Sequence, residues 1–290
     1  MPLFSLALIV LAAFIHATWN LLSKRAAAAG AAFVFAYSLA GCVIYLPWVI
    51  WVLTHHEQSW SLWTICCCLL SGAIHLAYSL CLQRGYQVAD LSVVYPVARG
   101  TGPMLSSLGA LVLLREAPTT HGLLGLLAVV TGIGLISTQG DLSAFRRPAG
   151  HAGIRWGLAT GSLIASYTVV DGYGVKALGI QPVVLDWLSN FLRVLLLIPV
   201  VLSNRERVLK SMKGRWSLAI WVGALSPLSY ILVLTALDWG APLSLVAPAR
   251  EMSMMVGAIF GMVLLGERVS TWRTVGCLTL VLGVVLLGIH

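Results

Sequence analysis

The chain has 290 residues, of which 59% are hydrophobic and only 10% charged. A water-soluble domain carries about 25% charge, so this chain lacks the polar surface to be one, and a bilayer must replace water around most of it. A net charge of +8 would suggest nucleic acid as the partner of a soluble protein; here the basic residues fall in short loops between apolar runs, so topology explains them and no nucleic-acid partner is expected.

Runs of about 20 apolar residues cross a hydrocarbon core. Ten are read along the chain, which predicts an all-α integral membrane fold. The first five span Pro2–Leu22, Ala32–Leu53, Leu62–Leu82, Ser92–Leu114 and Gly122–Thr138. The second five span Trp156–Val175, Pro182–Leu202, Trp216–Ala236, Pro242–Leu265 and Trp272–Ile289. The first run reaches Leu22 without a small-residue cleavage site and is read as a true span. The polar stretch from Gly140 to Gly153 divides the chain into residues 1–139, a cytoplasmic linker over 140–153, and residues 154–290.

With the N-terminus outside, thirteen basic loop residues face inward and only Arg115 and Lys176 face outward. This positive-inside bias predicts a multi-pass protein of a bacterial-type inner membrane with both termini periplasmic. The six cysteines (Cys42, Cys66, Cys67, Cys68, Cys81, Cys277) all lie in apolar runs and read as buried or lipid-facing thiols. No metal site and no cofactor are expected.

The two halves repeat. Lys24 and Tyr78 fall on Lys176 and Tyr230 at one fixed offset, as do Ala89, Leu91, Ser92, Val94 and Pro96 on Ala241, Leu243, Ser244, Val246 and Pro248. One residue is then lost, since Pro96-Val-Ala-Arg99 becomes Pro248-Ala-Arg250. Thereafter Arg99, Glu116, Thr120, Gly125 and Gly132 fall on Arg250, Glu267, Thr271, Gly276 and Gly283. Five spans per half make this an inverted-topology repeat, the architecture of carriers that open a central site alternately to either side.

The run Ala236-Leu-Asp-Trp-Gly-Ala-Pro-Leu-Ser-Leu-Val-Ala-Pro248, then Leu264-Leu-Gly-Glu-Arg268, Gly276 and Gly283, is echoed at Ala89–Pro96, Leu114–Glu116, Gly125 and Gly132. With His16-Ala-Thr-Trp-Asn20 at the start, this pattern resembles the drug/metabolite transporter superfamily, specifically its EamA-type carriers. The resemblance implies ten helices, a central cavity between two EamA-like repeats, and secondary rather than ATP-driven transport. The first half departs from the pattern in carrying Arg115 where the second has Gly266.

Polar groups at membrane depth cost about 2.5–3.5 kcal/mol each on insertion scales, so each needs a partner, water or a ligand. Arg99 and Arg250, each just after a proline, suit a substrate carboxylate or phosphonate, or alternatively pair with Glu251. Glu251 and Asp171 suit a substrate amine or a coupling proton, or neutralise Arg250 and Lys176. Asp186, Asn190 and Arg193 share one helix face, the spacing of an ion-pair network. His16, Trp19 and Asn20 share a face of the first span and could read a polar head group. Tyr78 and Tyr230, with His75 one turn before Tyr78, could cradle a cation or pack an interface; Tyr95 and Tyr167 join them as cavity candidates. Glu116 and Glu267 read as caps on the following helices near Thr120 and Thr271. The four repeated glycines read as packing positions, including at a dimer face.

The expected function is a secondary transporter of a small polar, zwitterionic or amino-acid-like metabolite. It would work by alternating access, coupled to protons or run as exchange, as a monomer or homodimer in the lipid bilayer. The alternatives are a lipid translocase, a non-transporting scaffold, or a membrane-embedded lipid-modifying enzyme. No H-E-x-x-H, G-x-S-x-G or acidic metal cluster favours an enzyme.

Overall fold

The computed structural model describes residues 3–88, 91–117, 119–146, 148–265 and 270–288. Gly266, Glu267 and Arg268 lie outside them, so the cap expected of Glu267 does too. Every regular element among the described residues is helical, as apolar surroundings require, because a helix satisfies its own backbone.

The first half comprises α1 (Leu3–Arg25), α2 (Ala31–His55), α3 (Leu62–Val88), α4 (Leu91–Leu113) and α5 (Thr120–Thr138). A single turn, α6 (Ser143–Arg146), precedes α7 (Pro148–Lys176). Then come α8 (Pro182–Ser203), α9 (Arg205–Met212), α10 (Trp216–Asp238), α11 (Leu243–Ala249), α12 (Met252–Leu265) and α13 (Thr271–Gly288). Seven helices, α1, α2, α3, α5, α8, α10 and α13, are long and apolar enough to cross a membrane. Large apolar side chains such as Leu62, Trp63, Val112 and Leu278 stand exposed on their outer faces. Exposed tryptophans cluster near helix ends, Trp51, Trp60 and Trp63 at one turn and Trp216 and Trp272 at two helix starts, where an indole sits at the level of lipid head groups. The protein is thus an all-α, multi-pass integral membrane protein.

Within the stretch 140–153 read as the linker, Pro148, well suited to a first helical position, starts α7. One stretch differs from the sequence reading. The basic loop between α8 and α10 folds as α9, whose Met212 is fully buried against the 27–29 turn region through Ala26, Ala29 and Phe33.

Helix pairing follows a reciprocal pattern. α1 packs on α10 and α7 on α3; α2 packs on α10 and α8 on α3; α4 packs on α7 and α12 on α1; α2 meets α8, and α5 meets α13. The α5–α13 contact is backbone to backbone. A Cβ on Gly125 would come within 2.8 Å of the Gly283 carbonyl, and one on Gly132 within 2.8 Å of the Gly276 carbonyl. All four glycines are therefore spent inside the chain, which removes them as a dimer face.

Candidate functional site

The site forms where one helix is interrupted. Pro248 has no N–H and its ring crowds the carbonyl four residues back, on Ser244. That carbonyl instead accepts a hydrogen bond from the Ser107 hydroxyl of α4 (3.0 Å). Beyond the proline the ladder tightens: Glu251 N–H donates to the Pro248 carbonyl and Met254 N–H to the Glu251 carbonyl, three residues back in each case. Arg250 and Glu251 thus sit in a turn between α11 and α12. In the first half, α4 runs unbroken through Pro96 and Arg99, so the one-residue difference between the halves falls where their backbones part.

Charged and aromatic groups from both halves converge on this turn. Arg99 Nε lies 2.9 Å from Glu251 Oε2, and Arg250 Nε lies 3.8 Å from Glu251 Oε1. Neither Nε atom and neither carboxylate oxygen makes a directed hydrogen bond among the described residues, so charge rather than geometry holds this triad. Arg99 has a tether, donating from Nη2 to Ser253 Oγ (2.9 Å), and stands over the Tyr95 ring. The Arg250 side chain has no hydrogen bond among the described residues; its guanidinium stands over Tyr167, 5.9 Å from the ring centre. Arg250 is 5% exposed and Glu251 wholly buried.

Tyr167 links this triad to a second cluster. Its ring stacks on His75 at 4.0 Å between centres, and Tyr78 and Tyr230 meet it edge-on. His75 Nε2 lies 3.1 Å from Asp171 Oδ2, which also accepts the Tyr230 hydroxyl at 2.6 Å. Asp171 Oδ1 is buried with no partner among the described residues. Asp171 therefore pairs with His75 and Tyr230 rather than with Lys176, which binds Glu116 instead at 3.0 Å.

The remaining candidates divide. His16 meets Trp19 edge-on at 4.8 Å and lies within electrostatic range of both Arg99 and Arg250, while Trp19 donates to Ser229 Oγ. Asn20 does not join them: it is exposed, and its amide donates to the His16 backbone carbonyl one turn back. On α8, Asn190 joins its neighbours, donating to Asp186 Oδ2 (2.9 Å) and accepting from Arg193 (2.8 Å).

Glu116 departs from the sequence reading. It does not cap α5, whose first turn is capped by Thr119. Glu116 reaches across to the other half, where Oε1 accepts the Leu243 N–H (2.7 Å) and Oε2 accepts both the N–H (2.9 Å) and the hydroxyl (2.7 Å) of Ser244. Burial alone would raise its pKa. The Ser244 and Leu243 donors and Lys176 outweigh burial and hold the carboxyl below its ordinary value. Arg115, beside it, takes a left-handed backbone (φ 54°), so the turn that Gly266 would allow forms here without glycine. Ser253 and Ser107 were missed in the sequence; Ser253 lies three residues past Arg250, a spacing that could have marked it.

Residues 3–138 match the model of the EamA-like transporter family. A crystal structure of a protein 14% identical in sequence superposes with a TM-score of 0.72 over 97% of this chain and 95% of its own, a likeness that extends the shared fold through the second half. No curated protein matches the sequence. The match places residues 3–138, just under half of the chain, among the EamA-like transporters of the drug/metabolite transporter superfamily.

Proposed function

We propose that the protein is a secondary carrier that moves a small polar metabolite with an anionic group, zwitterionic or amino-acid-like, across a bacterial-type inner membrane. The carrying observation is Arg250: a guanidinium at a helix interruption, buried, without a hydrogen bond among the described residues, and facing its sequence counterpart Arg99 across Glu251. Five donors in a planar fork suit a carboxylate or phosphonate. Discontinuous helices at the interface of repeats are where such carriers bind their substrates. Asp171, with one oxygen unpartnered among the described residues and a cage of His75, Tyr167 and Tyr230 about it, suits an ammonium group.

On this reading residues 1–139 and 154–290 are two repeats that rock about the α5–α13 contact, with α4, α7 and the α11–α12 pair completing ten spans. The reciprocal helix pairing supports it. Alternating access, both termini outside, and proton coupling or exchange belong to the same proposal.

A lipid substrate is the second reading. It draws on an apolar recess between α4, α5 and α11, lined by Leu108, Leu111, Leu123, Leu126 and Leu245. The buried charges lie in the other cluster, which favours a polar metabolite. Purified protein in liposomes, offered amino acids, amines, phosphonates and a labelled phospholipid, tests both. Uptake of a polar solute that is lost in Arg250→Ala supports the carrier; movement of the phospholipid alone overturns it.

A further inference from the structure

Glu251 stands between two guanidiniums that come from corresponding positions of the two halves, and nothing corresponds to it in the first half, where Gly100 follows Arg99. Building on the proposal that Arg250 holds the anionic group of the substrate, we infer that Glu251 is a built-in competitor for that group, so that a monoanionic head group and a proton enter the site together. The Glu251 carboxylate already supplies the negative charge that a substrate would bring. A second anion placed between the same two arginines would face it at close range, and like charges in a buried site repel strongly. Taking up one proton makes Glu251 neutral and leaves both guanidiniums to the substrate, with the total charge of the site unchanged.

The geometry suits exchange of partners. Among the described residues the triad lacks directed hydrogen bonds at both Nε atoms and both carboxylate oxygens, so releasing Glu251 forfeits attraction but no aligned bond. Arg99 stays positioned when Glu251 lets go, because Ser253 holds its Nη2. Arg250 is held by Glu251 and the Tyr167 face alone among the described residues, and is the freer of the two to turn toward a ligand. Arg99 and Arg250 are the cations about the carboxylate; His16 on α1 lies within electrostatic range of both arginines, and Tyr95 on α4 and Tyr167 on α7 present rings to them. The other acid–base group, Asp171 with His75 and Tyr230, lies beyond Tyr167 and is engaged with itself.

The test uses purified full-length protein in detergent with two probes, methylphosphonate and β-alanine. The thermal midpoint is followed across about two pH units, and proton uptake on probe addition is read in weak buffer. Coupling predicts about one proton taken up per probe bound and, by linkage, binding that weakens about tenfold for each pH unit over which that uptake occurs. In Glu251→Gln the probes should bind with little dependence on pH and without proton uptake. His16→Gln should retain uptake, which separates Glu251 from the histidine in range of both arginines. If wild-type protein binds a probe at all pH values without proton uptake, and Arg250→Lys weakens that binding, the carrier site stands and the coupling role of Glu251 falls. If neither probe stabilises wild type or Glu251→Gln, whose arginines are freed, the anion site itself falls and the inference with it.

Discussion

Glu116 and Ser244 are joined twice, since one carboxylate oxygen accepts both the backbone N–H and the hydroxyl of the serine, 128 positions away in sequence. With Leu243 N–H and Lys176 on the other oxygen, one side chain ties the loop after α4 to the first turn of α11 and the last residue of α7. Removing it leaves backbone donors in a half-buried place without an acceptor. Glu116→Ala is expected to lower stability by about 1–3 kcal/mol, read as a fall in the thermal midpoint. Because folding lowers the pKa of this carboxyl, its contribution is complete above the ordinary glutamate range and is lost as pH falls through the lower folded value. The wild-type midpoint should therefore drop more steeply on acidification than that of Glu116→Gln; parallel curves would remove Glu116 from this role.

The glycines of α5 give a sharper contrast. A side chain at Gly132 meets the Gly276 carbonyl and the Leu280 backbone at 2.8 Å, while nothing lies within 4 Å of one at Gly134. Gly132→Leu should cost about 3 kcal/mol or abolish folding, since neither backbone can yield. Gly134→Ala should be neutral or slightly stabilising, because alanine favours the helix. Equal thermal midpoints for the two would show that α5 and α13 do not pack this closely.

Tyr167 acts through its ring, with His75 stacked on it and Arg250 over it. Tyr167→Phe should keep ligand binding within about threefold, whereas Tyr167→Ala, which removes both contacts, should weaken it by tenfold or more. A large loss in Tyr167→Phe would assign the hydroxyl a role that these contacts do not give it.

Orientation is open to chemical labelling. With both termini outside, and with the six native cysteines replaced by serine, Glu57→Cys should react with a membrane-impermeant maleimide in intact cells, and Gly214→Cys only after lysis. The reverse order would invert the topology drawn from the basic loops.

The helices were legible because apolar runs of spanning length have few other uses, and the glycine pairs because small residues recur in register. The helix break was half legible. Both proline–arginine pairs marked it, yet only Pro248 breaks its helix, and nothing in the local sequence of Pro96 separates it from Pro248 except one residue of spacing. The partner of Glu116 was hidden because it depends on how the halves dock, which local pattern does not record. Asn20 shares a helical face with His16 on a wheel, but backbone bonding to the previous turn turns its amide away. The α9 helix was read as loop because Arg205, Glu206, Arg207 and Lys210 make it too charged for a span, although Val208, Leu209 and Met212 fall on one helical face.

The interruption between α11 and α12 has no twin in α4, so the two halves cannot trade shapes as perfect mirror images. In a carrier that works by such a trade, the inward-open and outward-open forms then differ in energy even with equal solute on both sides. Half-saturating concentrations measured from the two faces of the membrane would be unequal, while the ratio of maximal rate to half-saturation stays the same in both directions, as equilibrium demands. The missing residue between Pro248 and Arg250 would thus be felt as a preferred resting face.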